Sequence, residues 1–509
     1  MAQRAVAIAP RWPGAAAAAL VLVLTIGTLA AVGWRAEWQR GLSPADWAAI
    51  RFTVTQALVS AGLSVLLAIP VARALARRRF RGRSLLITLM GAPFLLPVVV
   101  AVIGLLAVFG RAGVVNSALA WLGLPAISIF GFHGVVLAHV FFNLPLAIRL
   151  ILQGWLAIPA EKFRLAASLN APVGRLLEWP MLRRVVPGVF LVIFLICLTS
   201  FAVALTLGGG PRATTVELAI YQALRFDFDL GRAALLACVQ FGLCVVAAAI
   251  VWRLSLVDTM GTGLDRVVQR WDLRWPVLDY LMIGLVALFL FTPLCMVVWR
   301  GLPGLALLPA DIWAAAGRSV IVAACSALLC LCMALALALR GGRVMEVVGV
   351  LPLAASGLVV GTGAFLLVYP FINPARLALP ITVLVNATLA LPFALRAIGQ
   401  AVDEVARDYS RLGASLGLSR WGWVRIVVLP RIRRPLGFGA GLAAALSMGD
   451  LGVITLFAGE AQQTLPLAMY RLMGAYRMEA AAGAALLLLA LSFVAFWICD
   501  RGGRGNADL

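Results

Sequence analysis

Apolar runs of about 20 residues recur from one end of this chain to the other, and they limit its fold more than any other feature. Twelve runs are candidates for crossing a bilayer: 15–33, 53–75, 85–109, 133–152, 186–208, 233–255, 277–299, 318–340, 344–370, 377–399, 436–458 and 480–499. In lipid only helices and closed barrels satisfy their own backbone hydrogen bonds, and long continuous apolar runs mean helices. The expected fold is an all-α polytopic membrane protein with about 12 transmembrane helices. The first run follows Arg4 and Arg11, as a signal peptide would. It is longer than the apolar core of about 7–15 residues in such a peptide, so it reads as a retained anchor helix.

Composition agrees with the runs. Of the 509 residues 63% are hydrophobic and 12% charged, against about 45–50% apolar and about 25% charged in soluble domains. A soluble enzyme, a disordered chain, a collagen and a nucleic-acid-binding domain are excluded. The net charge of +21 is explained by its distribution. With the N-terminus inside, the inner segments hold 30 of the 42 Lys and Arg residues and the outer segments 12. Cytoplasmic loops carry this excess, so both termini are expected in the cytoplasm of a multi-pass inner-membrane protein. Its surroundings are lipid, not nucleic acid.

Little suggests a metal or a cofactor, and neither is expected. The eight cysteines lie in or at the ends of apolar stretches without CxxC or Cys/His zinc spacing, as small buried hydrophobes do. His133 and His139 read as packed polar residues.

The chain also repeats itself. At +247, Leu144-Pro145 returns as Leu391-Pro392, Arg149 as Arg396, Arg164 as Arg411 and Ser168-Leu169 as Ser415-Leu416. At +250, Pro180, Arg183 and Arg184 return as Pro430, Arg433 and Arg434. At +249, Thr215, Ala219 and Tyr221 return as Thr464, Ala468 and Tyr470; at +259, Pro93 and Gly104 return as Pro352 and Gly363. Six spans per half is an even number, so the halves share one orientation and form parallel repeats. The expected division is 1–258, a cytoplasmic linker at 259–276, and 277–509.

Each half has one long cytoplasmic connection after its fourth span. Both read as a short amphipathic helix, a turn, and a basic stretch ending in Pro and paired arginines. In the second half, Arg411-Leu412-Gly413-Ala414-Ser415-Leu416-Gly417 is followed, after nine residues, by Val427-Val428-Leu429-Pro430. This resembles the EAA loop of ABC-importer permeases, E-A-A-x3-G-x9-I-x-L-P. The resemblance implies the type I importer permease fold. It also implies docking segments at about 158–180 (Arg164, Leu165, Ala166, Asn170, Pro180) and about 405–430 (Arg411, Leu412, Gly413, Gly417, Pro430). Gly417 suits a left-handed turn and a close approach. Both loops depart from the pattern: Arg164 and Arg411 stand at the Glu position. Asn170 stands at the first Gly position, with Pro180 three residues early.

No G-x4-G-K-[ST] loop occurs, and the only lysine is Lys162, so nucleotide hydrolysis of the P-loop kind falls to a separate subunit. Two loops imply two copies of that P-loop ATPase, with an extracytoplasmic binding protein delivering the ligand. The stretches 137–145, 207–222, 447–453 and Thr464-Leu465-Pro466-Leu467 further resemble the permeases of bacterial thiamine and thiamine pyrophosphate importers. Ferric-iron importer permeases share the fused layout. An ion-gradient-driven secondary transporter also has parallel repeats, without paired docking loops.

Four residues are candidates for the substrate pathway. Asp450, inside the eleventh span, either attracts a cationic ligand or is a packed, hydrogen-bonded carboxylate. Glu217, Tyr221 and Tyr470 follow matching spans on the outer face, where they line the pathway or sit as interfacial aromatics.

Overall fold

The structure, a computed structural model, describes residues 12–91, 96–253, 276–459 and 462–504. The expected linker at 259–276 lies outside the described residues apart from Pro276. Among the described residues every regular element is helical.

The first half of the sequence forms α1 (Trp12–Arg35), α2 (Pro44–Arg77), α3 (Arg83–Leu89), α4 (Val98–Phe109), α5 (Val114–Trp121), α6 (Phe132–Leu156), α7 (Ala160–Ser168), α8 (Trp179–Leu198), α9 (Ala202–Leu207), α10 (Val216–Arg225) and α11 (Leu230–Arg253). The second half forms α12 (Pro276–Gly304), α13 (Ala310–Arg340), α14 (Arg343–Val350), α15 (Gly357–Val368), α16 (Ala378–Ser415), α17 (Arg433–Met448), α18 (Gly452–Phe457), α19 (Leu465–Gly474) and α20 (Met478–Arg504). Among the described residues eleven helices are long and apolar enough to span a membrane, or twelve if one bent pair is a single span.

The bent pair corrects the expected continuous ninth span. Arg343–Leu353 and Gly357–Val368 meet at 93°. Pro352 sits in the 3-10 turn, Leu351–Ala354, that ends the first arm, and its ring has no N–H to continue α14. The Ser356 side chain then caps α15 by accepting from the Val359 N–H at 3.1 Å. The expected third span, 85–109, is also broken: α3 stops at Leu89, Pro97 is the N-cap of α4, and the spanning run is Val98–Trp121. The fifth and eleventh spans break at Thr199–Phe201 and Gly449–Leu451.

The expected tenth span and the second amphipathic helix are one helix. α16 has 38 residues, about 57 Å at 1.5 Å per residue, nearly twice a hydrocarbon core of about 30 Å. In the first half Pro159, extended at ψ 143, stops this continuation and starts α7 as its N-cap. Ala406 stands at the matching place in α16.

The chain packs as two compact units that do not follow the sequence halves. One gathers the residues up to Gly41, Ala219–Phe241 and those from Gly301 onward; the other gathers Leu42–Leu218 and Gly242–Arg300. Each unit thus contains the other half's first helix. In the second unit, a Cβ on Gly104 of α4 would lie 2.6 Å from the Pro293 carbonyl of α12. In the first, Gly363 of α15 presses as closely on Thr28 of α1. Asp279, in the first turn of α12, accepts from Arg78 Nε at 2.7 Å and lies 3.7 Å from Arg77, both at the end of α2. A second matched contact caps α10 and α19. The Thr53 hydroxyl accepts from the Val216 N–H at 2.9 Å, and the Ser319 hydroxyl from the Leu465 N–H at 2.8 Å.

Candidate functional site

The two sequence segments singled out above have the same local construction. α7 buries Phe163 and Ala166 and exposes Arg164, Leu165 and Leu169. It ends where Asn170 turns left-handed at φ 45. Asn170 donates to the Ala167 carbonyl at 3.2 Å and Ala171 to the Ala166 carbonyl at 2.8 Å, closing the helix with the bond pair of a Schellman end. A π-helical turn, Gly174–Glu178, then leads through Pro180 into α8.

The end of α16 repeats this. Arg411, Leu412 and Leu416 are exposed and Gly413 is buried. Gly417 is left-handed at φ 64, with Gly417 N–H on the Ala414 carbonyl at 3.2 Å and Leu418 N–H on the Gly413 carbonyl at 3.1 Å. Ser419 caps the next turn by accepting from Gly422 at 3.0 Å, and a π-helical stretch, Trp423–Val428, leads to Pro430.

The close approach sits at a different glycine from the one expected. A Cβ at Gly417 would meet nothing within 4 Å, whereas one at Gly413 would lie 2.6 Å from the Trp423 ring. Gly417 is there for its backbone angle, and Gly413 for the indole that folds back onto it. Arg431 stacks 4.1 Å over the Tyr409 ring, fixing the return strand of chain from the other side.

Both segments present leucines one helical turn apart to the outside: Leu165 and Leu169 at 60% and 68% exposure, Leu412 and Leu416 at 54% and 66%. Paired apolar side chains at i and i+4 share one helix face. Each face is flanked by an exposed arginine, Arg164 or Arg411.

Asp450 occupies the break between α17 and α18. Its Oδ1 accepts from the Gly452 N–H at 3.1 Å and the Val453 N–H at 3.4 Å, capping α18. Its Oδ2 is buried, beside the Asn386 side chain. Beside it runs a chain of side-chain hydrogen bonds: Asn386 to Ser447 at 3.0 Å and Ser447 to Ser326 at 3.1 Å. In the other unit the matching positions carry His139, Cys197 and Ser60. There Ser60 lies 3.4 Å from His139 Nδ1, and Gln56 donates to the Cys197 carbonyl at 3.0 Å. Glu217 is buried. Tyr221 is buried, edge-on to Phe226 at 5.6 Å. Tyr470 lies near Tyr221, and burial raises both phenols above their ordinary range, while Arg225 and Arg471 pull Tyr221 back.

Sequence reasoning missed Trp423, the Ser326–Ser447–Asn386 chain, and a buried carboxylate, Glu178. Glu178 is 4% exposed and accepts from Arg73 and Trp155. One signal was available: Glu178 is the only acid between Glu161 and Glu217. The serines and Asn386 carry no such mark in sequence, because they are distant in the chain and become neighbours only by helix packing.

Residues 286–502 match the family model described as binding-protein-dependent transport system inner membrane component. Over 534 residues the chain is 39% identical to the thiamine transport system permease protein ThiP of Escherichia coli (strain K12), with 98% of each chain covered. It is 38% identical over 481 residues to ThiP of Brucella abortus (strain 2308), covering 91% of this chain and 89% of that one. A shorter relative, the molybdenum transport system permease protein ModB of Mycobacterium bovis (strain ATCC BAA-935 / AF2122/97), is 31% identical over 260 residues. That alignment covers 50% of this chain and 96% of ModB.

Proposed function

The chain belongs to the ThiP family of binding-protein-dependent transport permeases, and we propose that it carries thiamine, or thiamine pyrophosphate, into the cell. It is a multi-pass inner-membrane subunit of an ABC importer and not itself an enzyme. The observation that carries the substrate reading is the whole-length match, 39% identity over 98% of both chains, to a thiamine permease.

In this reading both termini are cytoplasmic, as the skew of Lys and Arg favours. One ATPase copy docks on the face of Leu165 and Leu169 and a second on that of Leu412 and Leu416. The near-identical build of the two segments, each with exposed leucines, a left-handed closing residue and a π-helical return, supports two like sites. That half of this chain aligns with nearly all of a single permease supports two fused permease units. ATP binding draws the ATPase copies together, the segments move with them, and the membrane helices alternate between inward and outward access. No covalent chemistry falls to this chain.

The test is uptake by proteoliposomes holding this chain with its ATPase and binding protein. Radiolabelled thiamine and thiamine pyrophosphate are compared with ferric iron. ATP-dependent accumulation of a thiamine compound is expected. Accumulation of iron alone, or uptake driven by an ion gradient without the ATPase, overturns the reading.

A further inference from the structure

The two segments look alike from outside but are attached differently inside. In the first, Glu178 ends the π-helical turn and is buried at 4% exposure. Arg73, near the end of α2, holds it with a two-pronged grip: Nε donates to Oε1 at 3.1 Å and to Oε2 at 2.9 Å, and Nη2 lies 2.8 Å from Oε2. Trp155, at the end of α6, donates its indole N–H to Oε1 at 3.2 Å. One carboxylate thus ties the segment to two membrane helices at once.

At the matching positions the second segment and its neighbours carry apolar residues. The offset that pairs Thr53 with Ser319 places Leu339 opposite Arg73. The offsets already noted for α6 and for Pro180 place Val402 opposite Trp155 and Val428 opposite Glu178. Val402 and Val428 are buried at 4% and 1%, and Leu339 packs against the same apolar core. An ion-paired, hydrogen-bonded junction in one half is therefore a greasy contact in the other.

The difference has mechanical meaning. Apolar contacts are non-directional. A bidentate Arg–carboxylate pair fixes distance and angle. A buried carboxylate also resists separation from its partners, because an unpaired buried charge is expensive. We propose that Glu178 is a positioning residue: through Arg73 and Trp155 it locks the first docking segment to α2 and α6, so that movement of that segment is transmitted rigidly. The second segment needs no such tie to its own span, because α16 runs unbroken from that span into it. The two ATPase copies are thus coupled to the membrane helices by different means: one through a continuous helix, the other through a buried ion pair across a break.

This rests on the docking role given above, and the experiment separates the two. Glu178→Gln and Arg73→Lys are made in the full chain and purified with the ATPase and binding protein. Gln keeps an acceptor for Trp155 but loses the charge; Lys keeps the charge but loses the fork. Both variants are expected to retain the ATPase at wild-type stoichiometry and to keep basal hydrolysis. Ligand-loaded binding protein should stimulate hydrolysis poorly, and uptake per ATP should fall at least about fivefold. If Glu178→Gln fails to reach the membrane, Arg73→Lys decides alone. Wild-type uptake per ATP in a membrane-inserted variant overturns the proposal. So does loss of the ATPase in step with uptake, which would make the pair a mere fold anchor. Failure of the wild-type chain to retain an ATPase overturns the docking role instead.

Discussion

Gly413 lies directly beneath Trp423: a Cβ on the glycine would come within 2.6 Å of the indole. Trp423 is only 4% exposed, so it has little room to yield. Gly413→Ala is expected to overpack this contact at a cost of about 1–3 kcal/mol and to splay the segment proposed to dock. Co-purification of the ATPase should fall while the chain still reaches the membrane. Combining it with Trp423→Leu should restore part of the loss. Normal ATPase retention by the single variant would remove Gly413 from the docking geometry.

Gly417 tests backbone angle without a steric term, since nothing lies within 4 Å of a Cβ there. A β-branched or bulky residue at φ 64 costs about 1–2 kcal/mol relative to Gly. Gly417→Leu and Gly417→Val are expected to lower uptake several-fold, and Gly417→Asn to be tolerated, because Asn170 already fills the matching left-handed position. Equal uptake by the Leu and Asn variants would count against a role for that angle.

The exposed leucines should behave as contact residues rather than core. Leu165→Asp with Leu169→Asp, or Leu412→Asp with Leu416→Asp, are expected to leave membrane levels unchanged. ATPase binding should drop by at least about tenfold, the effect of a lost interface anchor worth about 1.4 kcal/mol or more. Pull-down of the ATPase measures this directly. Unchanged binding in both pairs would place the docking face elsewhere.

Asp450 combines a cap with a second, buried oxygen. Asp450→Asn keeps Oδ1 for the N–H groups of Gly452 and Val453 and removes the charge. Attraction of a cation at about 4 Å and an effective dielectric near 20 is roughly 4 kcal/mol before desolvation. The Asn variant is expected to express normally, bind the ATPase, and lose more than about tenfold in thiamine uptake. Uptake within twofold of wild type at equal membrane levels would leave Asp450 a helix cap alone.

Asp279 ties α12 to the end of α2. Asp279→Ala leaves Arg77 and Arg78, 5% and 11% exposed in their side chains, without this carboxylate. Breaking a buried pair in this one-sided way costs about 3–5 kcal/mol. The detergent-solubilised chain should melt several degrees lower, and the Asn variant should fall in between. An unchanged melting temperature would show that the first helix of the second half is held by its apolar face.

The sequence alone determined the class of fold, the approximate places of most of the spans, and the two helix–turn segments with their left-handed closing residues. These are local properties: an apolar run either reaches across a bilayer or does not, and a Gly or Asn closes a helix wherever it stands. Pro159 likewise marks in sequence why α7 is separate while α16 runs on, although reading both connections alike hid it. Only the tertiary structure decided that Gly413 and not Gly417 is the tight contact. It also decided that α1 and α12 each pack into the other half's unit, and that Asp450 caps α18 beside Asn386, Ser447 and Ser326. Glu178 was visible as a lone acid, but its partners, Arg73 and Trp155, were not. The physical reason is common to all of these. Each depends on which helices lie side by side, and a uniformly apolar sequence gives lipid-facing and protein-facing surfaces nearly the same composition, so the pairing is written in shape and in scattered polar atoms rather than in periodicity.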